Sequence, residues 1–130
     1  MSHGLTIREA SRDVPDTVAA LRGALGRRGI EIFTVIDHAA GAASVGLELE
    51  PEVVVIFGNP AVGTALMQAD PRAGIDLPLR MLVWRQRGVT RIAYEDPHAL
   101  ADRYALHAAE RTLDTMGRLL ETLAIEAATQ

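Results

Sequence analysis

Cysteine is absent from this chain. Disulfides, thiolate metal centres and redox-active thiols are therefore excluded. Aromatic residues make up only 4%, so a core has to be built from Val, Leu, Ile and Ala. No apolar run approaches the roughly 18 residues that a membrane-spanning helix needs, and no charged-then-apolar leader opens the chain. Basic residues are scattered and the net charge is −4, whereas a nucleic-acid footprint needs clustered Lys and Arg. These absences lead to the expectation of a cytoplasmic protein that engages neither nucleic acid nor membrane.

What is present is an ordinary globular composition, 48% apolar over 130 residues. That length suits one domain able to bury about two-thirds of the surface its unfolded chain exposes. Leu5-Thr6-Ile7 alternates as a short edge strand does. Asp13 is placed to cap a helix whose face carries Val14, Val18, Leu21 and Leu25 at helical spacing, with Gly29 just past its end. Ile30 to Ile36 is β-branched and reads as a strand covered on both faces. Ala39 to Gly46 is a short helix of small residues.

Residues 53 to 84 organise the rest. Val53 to Phe57 is an unbroken apolar run, as a central strand shows. Asn59-Pro60 then caps and opens a helix that stops before Pro71. Gly74 to Pro78 turns into a strand over 79–86, Gly88 permits a reversal, and Val89 to Tyr94 returns as its hairpin partner. Asp96-Pro97 opens a further helix to about Tyr104. From 108 to 127, Ala109, Leu113, Met116, Leu120, Leu123 and Ala127 form a heptad-like seam. It packs either on its own sheet or across a subunit interface. Arg111, Asp114, Arg118 and Glu121 are spaced to pair on the other side. The implied class is α/β (α+β): a mixed sheet of about five strands with helices packed over it, in one compact domain over 1–130. Crossovers between parallel neighbours would be right-handed.

Several stretches together resemble one family. Phe33-Thr-Val-Ile-Asp-His-Ala-Ala-Gly-Ala, Leu47-Glu-Leu-Glu-Pro51, Ile56-Phe-Gly-Asn-Pro60, Gly63-Thr64, Leu66-Met67-Gln68 and Leu77-Pro78-Leu79 follow the order seen in a bacterial and archaeal group. It is the family numbered 302 among the domains of unknown function. The resemblance covers about 16–106, leaving the C-terminal helix, about 107–127, largely outside it. It implies a small α/β fold, a homodimer and no established activity. The family's aromatic-plus-acidic pair after its late strand is Trp84-Arg85 here, so no acid can be carried over at that point.

The sharpest local pattern is Gly58-Asn-Pro-Ala-Val-Gly63-Thr64. It nearly reads as a phosphate-cradling loop, but the Lys that reaches the phosphates is missing. Two readings remain open. Either backbone amides at this helix start are offered to a small anion or a carbonyl, or the stretch is a tight turn in which Gly58 supplies unusual backbone angles and Gly63 permits close packing. Asp37-His38 ends the preceding strand. If that strand runs parallel to Val53–Phe57, both loops emerge at one end of the sheet, where ligands gather. His38 could then serve as a base oriented by Asp37; the alternative is a surface Asp-His that caps the Ala-rich helix.

Metal and nucleophile signals are weak. No second His lies near His38 at ligand spacing, so no metal site is expected. Met67 is a soft ligand by type, though a Met among small apolar residues is ordinarily core. His98/Asp102 and His107/Glu110 read as solvated helix pairs, and His3 falls in a terminus expected to fray. No G-x-S-x-G context exists for nucleophilic catalysis. The leading expectation is a homodimeric module that binds a small ligand without catalysis, through His38, Gly58, Asn59, Gly63, Thr64 and Met67, with no cofactor. One rival is an enzyme on a small anionic or carbonyl substrate, with His38 as general acid/base beside Asp37. A third class binds haem or copper through His38 and Met67.

Overall fold

The computed structural model describes residues 4–129; His3 lies outside them. Five strands form one sheet: β1 (Leu5–Ala10), β2 (Glu31–Asp37), β3 (Glu52–Gly58), β4 (Leu79–Gln86) and β5 (Val89–Glu95). Their order is β1-β5-β4-β3-β2, and every neighbouring pair is antiparallel. The sheet is thus not mixed, and no parallel crossover exists to have a hand.

The register shows the correction. Helix α2 (His38–Ser44) joins β2 to β3. Its seven residues rise only about 10 Å, half the roughly 20 Å length of a strand of that size. The helix alone does not span a strand, and β3 enters beside the end of β2, with Asp37 opposite Val53. β4 likewise enters beside the end of β3, where Phe57 pairs with Leu79. Helix α3 (Pro60–Ala69) and the 3-10 helix Pro71–Asp76 are a side excursion between two strands that already meet.

Helix α1 (Val14–Arg27) starts as its sequence foretells, with the Asp13 carboxylate accepting from Asp16 N at 2.9 Å. It packs with α4 (Glu110–Thr129) on one face of the sheet. Val55, Phe57, Met81, Val83 and Ile92 from the strands meet Leu21, Leu25, Leu120 and Leu123 there. The α4 seam is buried inside its own subunit along its whole length. Its C-terminal half lies in this core, while Leu113 and Met116 join a second cluster with Leu66, Ala73, Leu100 and Leu106. Arg28 clamps Glu126 with two bonds of 3.0 and 2.5 Å, tying the end of α1 to the end of α4. The β4–β5 hairpin turns on Arg87 and Gly88, both at positive φ, the signature of a two-residue type I′ turn.

The other face of the sheet carries Val54, Ile56 and Leu82, which belong to neither buried cluster. Strand β2 is an edge rather than a doubly covered strand, and Ile36 on it is 42% exposed. On α4, Asp114 does not pair along its own helix as its spacing suggested. It meets Nε2 of His98 at 2.6 Å, and Arg118 donates to the Thr115 hydroxyl at 3.4 Å.

Candidate functional site

The antiparallel pairing of β2 with β3 separates the two loops that the sequence brought together. Glu31 stands opposite Gly58, and Asp37 opposite Val53. Asp37-His38 and the Gly58 turn therefore lie at opposite ends of the strand pair, roughly 20 Å apart at about 3.4 Å per residue. Asp37 is the N-cap of α2, its carboxylate accepting from Ala40 N at 2.9 Å. His38 is exposed and borders the uncovered sheet face beside Val54 and Ile56. The shared site of His38 with Gly58, Asn59, Gly63, Thr64 and Met67 is not assembled. Neither the acid/base arrangement nor a His38–Met67 pair for haem or copper has its geometry. Among the described residues no group of three or more His, Asp or Glu is placed to hold a metal ion.

The Gly58 turn works differently from its resemblance to a phosphate loop. Gly58 does not have a positive φ. Its lack of a side chain matters because a Cβ there would come within 3.3 Å of the Pro78 Cβ and 3.7 Å of the Phe33 ring. Asn59 caps α3, with Oδ1 accepting from Ala61 N at 2.9 Å. The Asn59 carbonyl accepts from Val62 N and Gly63 N at 3.0 and 3.1 Å, and Pro60 has no N–H to offer. The amides expected to hold an anion are already bonded.

Five of the six residues singled out as ligand contacts nevertheless surround one hollow. Gly58, Asn59, Gly63, Thr64 and Met67 line a cavity of about 360 Å³, closed by Phe33, Leu77, Pro78 and Met116. It opens beside α3, on the excursion between β3 and β4. Its outer wall is held by a polar lock that the sequence did not announce. Asp70, buried, accepts from Arg72 N and Nε at 3.1 Å, from the far Arg72 nitrogen at 2.8 Å and from Ala105 N at 2.9 Å. The Arg72 guanidinium first, and the Ala105 amide second, hold its carboxyl well below the usual carboxylate range. Tyr104 donates to Asp76 Oδ2 at 2.5 Å, which lowers the Asp76 carboxyl and raises the Tyr104 phenol. Arg72 and Arg103 each stand under 6 Å from the Tyr104 ring centre, at 5.8 and 5.9 Å.

A second lock holds His98. Nδ1 meets Asp96 Oδ1 at 2.8 Å and Nε2 meets Asp114 Oδ1 at 2.6 Å. The bond to Asp96, then that to Asp114, pushes the imidazole pKa upward. Asp70-Pro71 and Asp96-Pro97 repeat one cap-then-proline signal, and only the second was legible as a helix start. The partners Ala105 and Asp114 are distant in sequence and left no local mark.

Fold and cavity together define a two-layer α/β domain, helices on one side of an antiparallel sheet, with a small lateral hollow. The chain belongs to the family described as Domain of unknown function DUF302, whose model matches residues 6–123. That match reaches well into α4, beyond the 16–106 of the motifs. The crystal structure of the uncharacterized conserved protein DUF302 from Bacillus stearothermophilus superposes with a TM-score of 0.84 at 17% identity, covering 95% of this chain and 97% of that one. This likeness is one of fold. Proteins named fluoride-specific ion channel FluC 1, from Brucella suis biovar 1 and Brucella abortus biovar 1, are each 39% identical over 104 residues, 79% of this chain. The chain spans about two-fifths of their length, 41% and 38%. Among the described residues no helix is long and apolar enough to cross a membrane.

Proposed function

We propose that this chain is a homodimeric, non-catalytic module of the cytoplasm that holds a small ligand in the cavity at the start of α3. The observation that carries the reading is the convergence of Gly58, Asn59, Gly63, Thr64 and Met67 on one hollow of about 360 Å³. That size lies at the lower end of the roughly 300–1,000 Å³ of ordinary ligand pockets. A fragment screen read by NMR tests it: hits should shift the Gly58–Thr64 amides, and a screen with no shift there removes the reading. The dimer is supported by the uncovered sheet face, where Leu5 and Ile7 are 63% and 54% exposed beside Val54, Ile56 and Leu82. Apolar patches of this kind mark contact surfaces. Light scattering that returns the mass of one chain at tens of micromolar would end that part.

A second reading is favoured by the names of the Brucella relatives. In it the chain is an accessory domain in fluoride export, working beside a channel rather than conducting. Deleting the chain from its host should then lower growth in fluoride; unchanged tolerance would remove this reading.

A further inference from the structure

The walls of the α3 cavity are those of an apolar pocket. Phe33, Val62, Met67, Leu77, Pro78 and Met116 form them, and no Lys, Arg, His, Asp or Glu lines the hollow. An anion moved there would lose its hydration and meet neither a counter-charge nor an unused helix amide. An apolar body gains by leaving water, and the two flexible thioethers of Met67 and Met116 suit the edge of an aromatic ring. One glycine is needed against Met67. A Cβ on Gly74 would stand 3.2 Å from Met67 Sδ, whereas one on Gly63 would meet Met67 Cε and Leu77 Cδ1 at an ordinary 3.9 and 4.0 Å.

Asn59 and Thr64 are the polar side chains of the lining. Asn59 uses only its Oδ1 for capping, leaving its amide N–H groups for a guest, and Thr64 contributes a hydroxyl one turn on. We propose that the cavity takes an uncharged ligand with an apolar body about the size of one aromatic ring system and a single hydrogen-bonding group. This rests on the reading that the cavity binds a ligand at all.

The test uses the full chain with ¹³C-methyl methionine, titrated with indole and, separately, with inorganic phosphate. Indole should shift the Met67 and Met116 methyls while Met81, buried in the sheet core, stays still; phosphate should move none of them. Gly63→Leu, which drives a side chain into the hollow, should weaken the indole response at least tenfold. Gly63→Ala should keep it. If Gly63→Leu does not fold, the methyl shifts of the unaltered protein decide alone. Phosphate that moves the Gly58–Thr64 amides while indole moves no methyl overturns the apolar class but leaves a ligand site standing. Silence from both probes overturns the class and the site together. Indole shifts at Met81 equal to those at Met67 would mean binding elsewhere, and also overturn it.

Discussion

The two faces of the sheet are built from the same strands and have opposite fates. On the helix side Val55, Phe57, Met81, Val83 and Ile92 are all fully buried. One residue along each strand, Val54, Ile56 and Leu82 are equally apolar and no cluster of the chain covers them. Strand pleating places neighbours on opposite faces, so the unbroken run of Val53 to Phe57 serves both. A run apolar on both faces states that both will be covered; it does not state by what. Here the chain supplies one cover, α1 with α4, and leaves Val54, Ile56 and Leu82 outside both of its buried clusters.

The comparison breaks most readily at Phe57. Phe57→Ala should cost about 3–5 kcal/mol of stability, measured by urea unfolding; a loss below about 1 kcal/mol would mean the two faces are energetically alike. Ile56→Asp, one position away, should cost the single chain less than Phe57→Ala and act on association: light scattering should report the mass of one chain where the unaltered protein reports two. A monomeric unaltered protein would make the open face merely exposed.

Substitutions off both faces sharpen the scale. Gly63→Ala should raise stability by up to about 1 kcal/mol, since Ala is the better helix former and its Cβ meets nothing closer than 3.9 Å. A falling melting temperature would show the hollow tighter than described. The smallest effect belongs to His98. Its pKa is raised on folding by Asp96 and then Asp114, so its contribution is full below the unfolded value, about 6.5, and is lost as pH rises through the folded value. The other shifted groups keep their charge state in that window, because the carboxylates of Asp70, Asp76 and Glu126 move down and the arginines and tyrosines up. Melting temperature should decline between pH 6 and 9, and His98→Gln should flatten the decline; an equal slope in the variant would discharge His98 from the role.

Element positions were legible because local chemistry punctuates them. Asp13, Asn59 and Asp96 each cap a helix or turn as read, with side-chain bonds of 2.9 Å, and Gly88 marks the hairpin. Strand direction was not read, because the fourteen residues between Asp37 and Glu52 are long enough for either a crossover or an antiparallel entry. The cavity was partly legible: the stretch from Gly58 to Met67 does enclose a hollow. His38 was misplaced because its membership depended on that direction alone. The clasp of His98 by Asp114 joins residues sixteen positions apart, a distance over which spacing on one helix has nothing to say.

Because Phe57 already faces Leu79 across the ladder, residues 59–78 are an insertion on a finished strand pair, anchored to α4 through Leu66 and Ala73. Mutation can reshape the hollow in that insertion without re-registering any rung of the sheet. The sheet and the hollow beside it are thereby free to evolve at separate speeds.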